Sequence, residues 1–235
     1  MRALFHSISN YAARSLMKLL FGCIGRVRVL RRQNTDHAGG YLLASNHISH
    51  FDPFIISGIV RRKIDWMAMA EFFPLPVLGL FLRAVDAFPA DRHRADRATI
   101  RTAIERLRGG RIVGIFPEGG IRDGANSLLE GAPLRPGAST LAQIAGASIL
   151  PCVIVGSDRF YSKKSWLPLR RTPVWIAFGG LISHVPELEK SVARERIERE
   201  LAAAFKNLYA ELRETFSLMA DDLPRPPRER IEERK

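Results

Sequence analysis

Four residues separate a histidine from an aspartate in the run His47-Ile48-Ser49-His50-Phe51-Asp52, with Asn46 before it and Pro53 after it. A tight turn between the two lets the carboxylate hold one ring nitrogen while the other nitrogen faces a substrate. Such a pair works as a general base and needs no enzyme nucleophile. Asp52-Pro53 is also a good N-cap and first-turn pair for a helix, and capping is compatible with catalysis. Ser49 would be a nucleophile in a hydrolase, but it lacks a G-x-S-x-G elbow, so a turn hydrogen bond is the better assignment. His50 reads as a local surface histidine.

A second concentration of chemistry is Phe116-Pro117-Glu118-Gly119-Gly120-Ile121-Arg122. The glycines permit close backbone approach, Glu118 can bind hydroxyls or brace a cation, and Arg122 can bind phosphate. Between the two runs, Asp91-Arg92 with Arg94 and Arg97 offers another phosphate site, the last two also being compatible with a solvated helix face.

Both runs follow short apolar segments, at 41–45 and 111–116, and loops beyond the carboxyl ends of strands are where α/β proteins gather ligands. Further strand patterns lie at 26–30, 65–70, 149–155 and 174–178. Helical patterns occupy 53–60, 75–83, 95–108 and 137–145, and Ile197, Leu201, Phe205, Leu208, Leu212 and Phe216 form a stripe near the C-terminus. The alternation predicts an α/β fold with a mixed, largely parallel sheet flanked by helices. The 22 uncharged residues from 136 to 157 read as a short helix, a turn at Gly146-Ala147 and a buried strand, not as a membrane span. The apolar stretch from Phe72 to Leu82 reads first as helix core, with an acyl tunnel or a membrane contact as the alternatives.

With 235 residues, 46% of them apolar, the chain has material for one large core, which excludes a disordered or disulfide-scaffold protein. Cys23 and Cys152 lack metal-ligand spacing and read as buried thiols, with neither disulfide nor metal expected. The formal charge is +12, and residues 1–35 carry seven Lys and Arg and no carboxylate. That segment reads as an amphipathic, membrane-interface helical segment. Lys18 and Arg26 bracket only seven uncharged residues, against the ~20 a spanning helix needs. No small-residue cleavage site marks it as a signal peptide. Nucleic acid is the weaker partner for the charge, since no recognition motif accompanies it. The expected organisation is a membrane-association segment at 1–35, a catalytic domain at 36–220 and a flexible charged tail at 221–235.

Taken together, these blocks resemble the glycerophospholipid acyltransferases typified by bacterial lysophosphatidic acid acyltransferase. Asn46, His47, Ser49 and Asp52 match that family's N-H-x-S-x-x-D pattern. Asp91-Arg92, Phe116 to Gly119, Arg135-Pro136-Gly137 and the apolar strand through Pro151 follow in the family's order, so the resemblance spans roughly residues 40 to 160. One departure stands out: where the family often has P-E-G-T-R, this chain has Gly120 and Ile121, with Arg122 one position later. The resemblance implies acyl transfer from a thioester, either acyl-CoA or acyl carrier protein, to a lysophospholipid hydroxyl, with no tightly bound cofactor. The foremost acceptor is 1-acyl-sn-glycerol-3-phosphate; the alternatives are another lysolipid, an ornithine-type lipid, or a non-catalytic lipid binder of the same fold. His47 and Asp52 would be catalytic. Asn46, Ser49, Arg92, Glu118, Gly119, Gly120, Arg122 and Arg135 would bind substrate, at the cytoplasmic face of a membrane.

Overall fold

The computed structural model describes residues 2–91, 97–167 and 171–232. Among them, seven strands form one sheet in the order β1-β7-β6-β2-β5-β3-β4. These are β1 (Gly25–Leu30), β2 (Tyr41–Ser45), β3 (Ile64–Met69), β4 (Phe88–Ala90), β5 (Ile112–Ile115), β6 (Ser148–Val155) and β7 (Thr172–Phe178). Every neighbouring pair is parallel except β6 with β7. The mixed, largely parallel sheet expected from the alternation is therefore what the chain builds. All five residues of β2 are buried, as a strand covered on both faces requires.

Helices fill both faces. Leu42 and Ala44 of β2 join the layer containing α4 (Arg97–Arg108), α5 (Gly137–Ala145) and α6 (Lys190–Thr215), where Leu107, Leu141, Leu201 and Phe205 pack. Tyr41 and Leu43 point the other way, toward α1 (Arg2–Ile24) and α2 (Asp52–Ile59), where Phe21, Ile24, Ile55 and Ile56 pack. The two-residue period of a strand thus assigns successive side chains to opposite cores. The remaining helices are α3 (Pro76–Ala84) and α7 (Pro227–Glu232).

Several expectations need correcting. Residues 25–30 fall inside the segment assigned to membrane association, yet they form an edge strand registered on β7 from Gly25↔Thr172 to Leu30↔Ala177. Phe21 and Ile24 of α1 are buried, so the end of that helix belongs to the core. As far as Glu232 the tail is not loose: α7 folds back and Arg230 is only 5% exposed. Cys23 is exposed, whereas Cys152 is buried. The strand β4 escaped the sequence reading because it has three residues and contains Pro89, whose missing N–H is tolerated at a sheet edge. The 72–82 stretch is not ordinary core either, since Leu75, Val77 and Leu80 are exposed, Val77 at 84%.

Candidate active site

The site forms where β2 and β5 end side by side. Their parallel register pairs Tyr41 with Ile112 and Ala44 with Ile115, and carried three residues further it sets His47 level with Glu118. Adjacent strands lie about 4.8 Å apart, so the two motif loops must meet. The chain also moves from β5 on one flank of β2 to β6 on the other, which opens a crevice at that point.

In the β2–α2 loop, His47 Nδ1 lies 2.9 Å from Asp52 Oδ2. An ionised carboxylate only accepts, so the pair fixes the proton on Nδ1 and leaves Nε2 to a substrate. The same Oδ2 accepts from the Ile48 and Ser49 N–H groups at 2.8 and 2.9 Å. The other oxygen, Oδ1, accepts from the Ser157 hydroxyl. Asp52 is fully buried and spends its carboxylate on this loop, while Phe51 occupies the N-cap position of α2.

The β5–α5 loop grips the histidine backbone from both sides. Glu118 Oε2 accepts from His47 N–H at 2.5 Å, and the His47 carbonyl accepts from Arg122 N–H at 2.9 Å. The remaining Glu118 oxygen accepts from Leu128 N–H at 2.8 Å and Ser127 Oγ at 3.1 Å. Burial pushes the Glu118 carboxyl up, opposed by these donors. Expected to bind substrate or an arginine, Glu118 is instead a buried brace with both oxygens engaged. The imidazole lies flat on Phe116, ring centroids 3.9 Å apart, and Phe116 on Trp66 at 4.8 Å. This column needs Gly114, where a Cβ would come within 2.4 Å of the Trp66 ring.

Two other assignments change. Asn46 Nδ2 donates to the Ile154 carbonyl at 2.9 Å and Oδ1 accepts from Ile154 N–H at 2.8 Å, so its fully buried amide ties the loop to β6. Ser49 is fully buried and its Oγ accepts from Phe51 N–H, which is the turn bond, not a nucleophile's setting. Ser49→Ala is accordingly expected to keep activity within several-fold, and a thioester-cleavage assay checks it.

Around the dyad opens a cavity of about 710 Å³, with His47, His50, Gly119 and Gly120 at the polar end. Its walls are apolar: Phe54 from α2, Trp66 and Met67 from β3, Leu78 and Phe81 from α3. His50 stands at this rim, its Nδ1 2.5 Å from Tyr161 Oη, and partial desolvation together with the neighbouring His47 lowers its pKa. Gly119 N–H closes a turn on the Phe116 carbonyl at 2.9 Å, so that amide is engaged within the loop. Gly120 lines the cavity beside it. Gly119 has φ +69°, and a Cβ there would meet the Arg135 side chain within 2.8 Å, so the missing side chain is what lets that guanidinium lie over the loop. Arg122 is tied by its backbone to His47 and Arg135 lies against Gly119, which lines the cavity, while Arg92 lies outside the described residues.

An acyltransferase family model matches residues 26–155, more than half of the chain and all of the loops just described. The chain belongs to the acyltransferase family. Among its relatives is the 1-acyl-sn-glycerol-3-phosphate acyltransferase of Bacillus subtilis, 33% identical over 141 residues, covering 60% of this chain and 68% of the relative. The enzyme of the same name from Borreliella burgdorferi is 24% identical over 159 residues, covering 66% and 62%. The crystal structure of the 1-acyl-sn-glycerophosphate (LPA) acyltransferase PlsC from Thermotoga maritima has the same fold, with a TM-score of 0.67 and 22% identity over 89% of this chain and 83% of that one.

In this acyltransferase, two residues that support the dyad, one directly and one through Phe116, carried no chemical motif of their own. Ser157 lies 105 residues from Asp52, at the end of β6, and Trp66 reaches His47 only through Phe116. The sole available pointer was the position of Ser157 just after an apolar strand.

Proposed function

We propose that the enzyme moves a fatty acyl group from an acyl thioester to the free hydroxyl of 1-acyl-sn-glycerol-3-phosphate, giving phosphatidic acid. The observation that carries this reading is the His47–Asp52 dyad set at the mouth of an apolar cavity of about 710 Å³. His47 Nε2 takes the proton of the acceptor hydroxyl as its oxygen attacks the thioester carbonyl carbon. The tetrahedral intermediate then expels the thiolate, the C–S bond breaks, and the imidazolium returns the proton to sulfur. Asp52 keeps the imidazole in the productive tautomer and stabilises the imidazolium. The fatty chain lies in the cavity, away from water. Arg122 and Arg135 hold the acceptor's phosphate by charge-assisted hydrogen bonds, and the names of the Bacillus and Borreliella relatives favour that acceptor.

The deciding experiment measures thiol release from a long-chain acyl-CoA, and in parallel from acyl carrier protein, with and without lysophosphatidic acid, while following the lipid product. Acceptor-dependent release with phosphatidic acid formed is the expected result. Release without acceptor would make the protein a thioesterase. Activity only with a different lysolipid would reassign the acceptor, which the shifted Arg122 makes the natural place for a change.

We place the reaction at a membrane surface. Among the described residues no helix is long and apolar enough to cross a membrane. Instead α1 exposes Leu16 (60%) and Leu19 (66%), with the exposed Lys18 between them, and α3 exposes Val77 and Leu80. The two helices are in contact, and both reach the cavity, through Met17 and Leu78. A lipid substrate could enter there without crossing water. Because α1 also carries core residues, point changes test this better than removing the helix. The double variant Leu19→Glu with Leu80→Glu is expected to weaken binding to phosphatidylglycerol vesicles by roughly tenfold or more, as removing two leucines from an apolar membrane contact requires. Vesicle co-sedimentation is the measurement, and unchanged binding would move the membrane face elsewhere.

A further inference from the structure

The serine that holds Asp52 is followed by Asp158, an aspartate with no solvent exposure. Asp158 Oδ2 accepts from Arg230 Nε at 2.7 Å and from the Arg225 N–H at 3.2 Å, both in the C-terminal arm. Arg230 sits on α7, nearly buried, and its Nη2 also reaches the Leu223 carbonyl at 3.3 Å. A second tie runs the other way: Arg159 Nη2 donates to Asp222 Oδ1 at 2.7 Å and to the Asp221 carbonyl at 2.8 Å. The turn Ser157–Tyr161 is therefore fastened to the arm at two successive residues. On its other side it touches the active site, through Ser157 on Asp52 and Tyr161 on His50.

We infer that Ser157 is a positioning residue for the acyl-transfer dyad and that the C-terminal arm holds it there through Asp158. The inference rests on the proposed roles of His47 and Asp52. Asp52 Oδ2 is already shared by His47, Ile48 and Ser49, so Oδ1 is the oxygen that fixes the carboxylate's rotation, and the Ser157 hydroxyl is what holds Oδ1. Without that hydroxyl the buried oxygen loses its donor and the carboxylate can tilt away from the ring. The arm matters because a buried aspartate is tolerated when a cation faces it. If Arg230 loses its charge, Asp158 must find water, and the turn that carries Ser157 has to open to let it.

The reading can be tested on the full chain without any substrate, by following the ring of His47 in an NMR pH titration. The protein is compared with Ser157→Ala, Arg230→Ala and Arg230→Lys. His50, Glu118, Tyr161 and Cys152 are the other titratable groups facing the dyad, and all four are kept in every variant. Removing the Ser157 hydroxyl lets the carboxylate turn away from the ring and weakens its hold on the imidazolium, so the His47 titration is expected to move to lower pH. Turnover is expected to fall roughly 10- to 100-fold with the acceptor KM unchanged, the loss typical of a misplaced catalytic group. Arg230→Ala is expected to move both readouts the same way, and Arg230→Lys, which keeps the cation, to restore them. Should Arg230→Ala not fold, Arg230→Gln keeps donors while removing the charge.

An unmoved His47 titration in Ser157→Ala overturns the inference. A lower Tm in the Arg230 variants with the titration unmoved overturns the arm's part in it and makes α7 a purely structural clasp. If the protein proves inactive toward lysophosphatidic acid while the titration shifts as described, the proposed function fails and the coupling stands.

Discussion

His47→Ala is expected to lower turnover roughly 10²- to 10⁴-fold, the usual worth of a positioned general base. Vesicle binding and Tm should stay close to those of the parent. The imidazole packs flat on Phe116 at the cavity mouth and is linked to Asp52 by a single ring bond, so its removal leaves the backbone clamp on residue 47 intact. The clamp uses only the N–H and carbonyl of that residue, which alanine also has. Steady-state kinetics with acyl-CoA, paired with vesicle co-sedimentation, separates the two effects. Full activity in the variant would remove His47 as the base and with it the proposed mechanism.

The second large effect belongs to Glu118, and its signature is different. Glu118→Ala leaves three donors without an acceptor, the N–H groups of His47 and Leu128 and the hydroxyl of Ser127. Each stranded buried group costs ~1–3 kcal/mol, so a loss on the order of 3 kcal/mol or more is expected. For a chain of this length that corresponds to a Tm lower by roughly 6–12 °C. Turnover should fall as well, because the loop that aims the imidazole loses its anchor. The acceptor KM should not rise in proportion. A substrate-binding glutamate would give the reverse pattern, a raised KM at unchanged Tm, and thermal denaturation alongside kinetics tells the two apart.

What the sequence made readable follows from how local each feature is. His47 and Asp52 sit within one turn of chain, and every bond that joins them is fixed by that turn, so residue type and spacing sufficed. The sheet was readable because β2, β6 and β7 are continuous apolar runs bounded by turn residues. Glu118 was found as a site residue, but its job was misassigned, since its partner 71 positions away is set by strand register and not by any local pattern. Asn46 is the same case at longer range, its amide being satisfied by Ile154 across the sheet. The 72–82 stretch is apolar on every side, and such a helix reads as buried; only the packing of α3 beside α1 decides that Val77 and Leu80 face outward. The C-terminal segment looked loose because it is rich in proline and charge, and the buried aspartate that captures Arg230 lies 72 residues earlier.

The two edges of the sheet have a consequence for the protein's behaviour at high concentration. An unpaired strand edge is a template on which another chain can add, and long flat apolar edges aggregate. Here β4 ends one side after three residues, with Pro89 supplying no N–H to a newcomer. On the other side β1 carries Arg26 and Arg28, both exposed, so a second copy aligned along that strand would bring like charges together. A protein that shows apolar helices to the outside has particular need of edges that refuse extension, and this chain supplies one by shortness and proline and the other by charge.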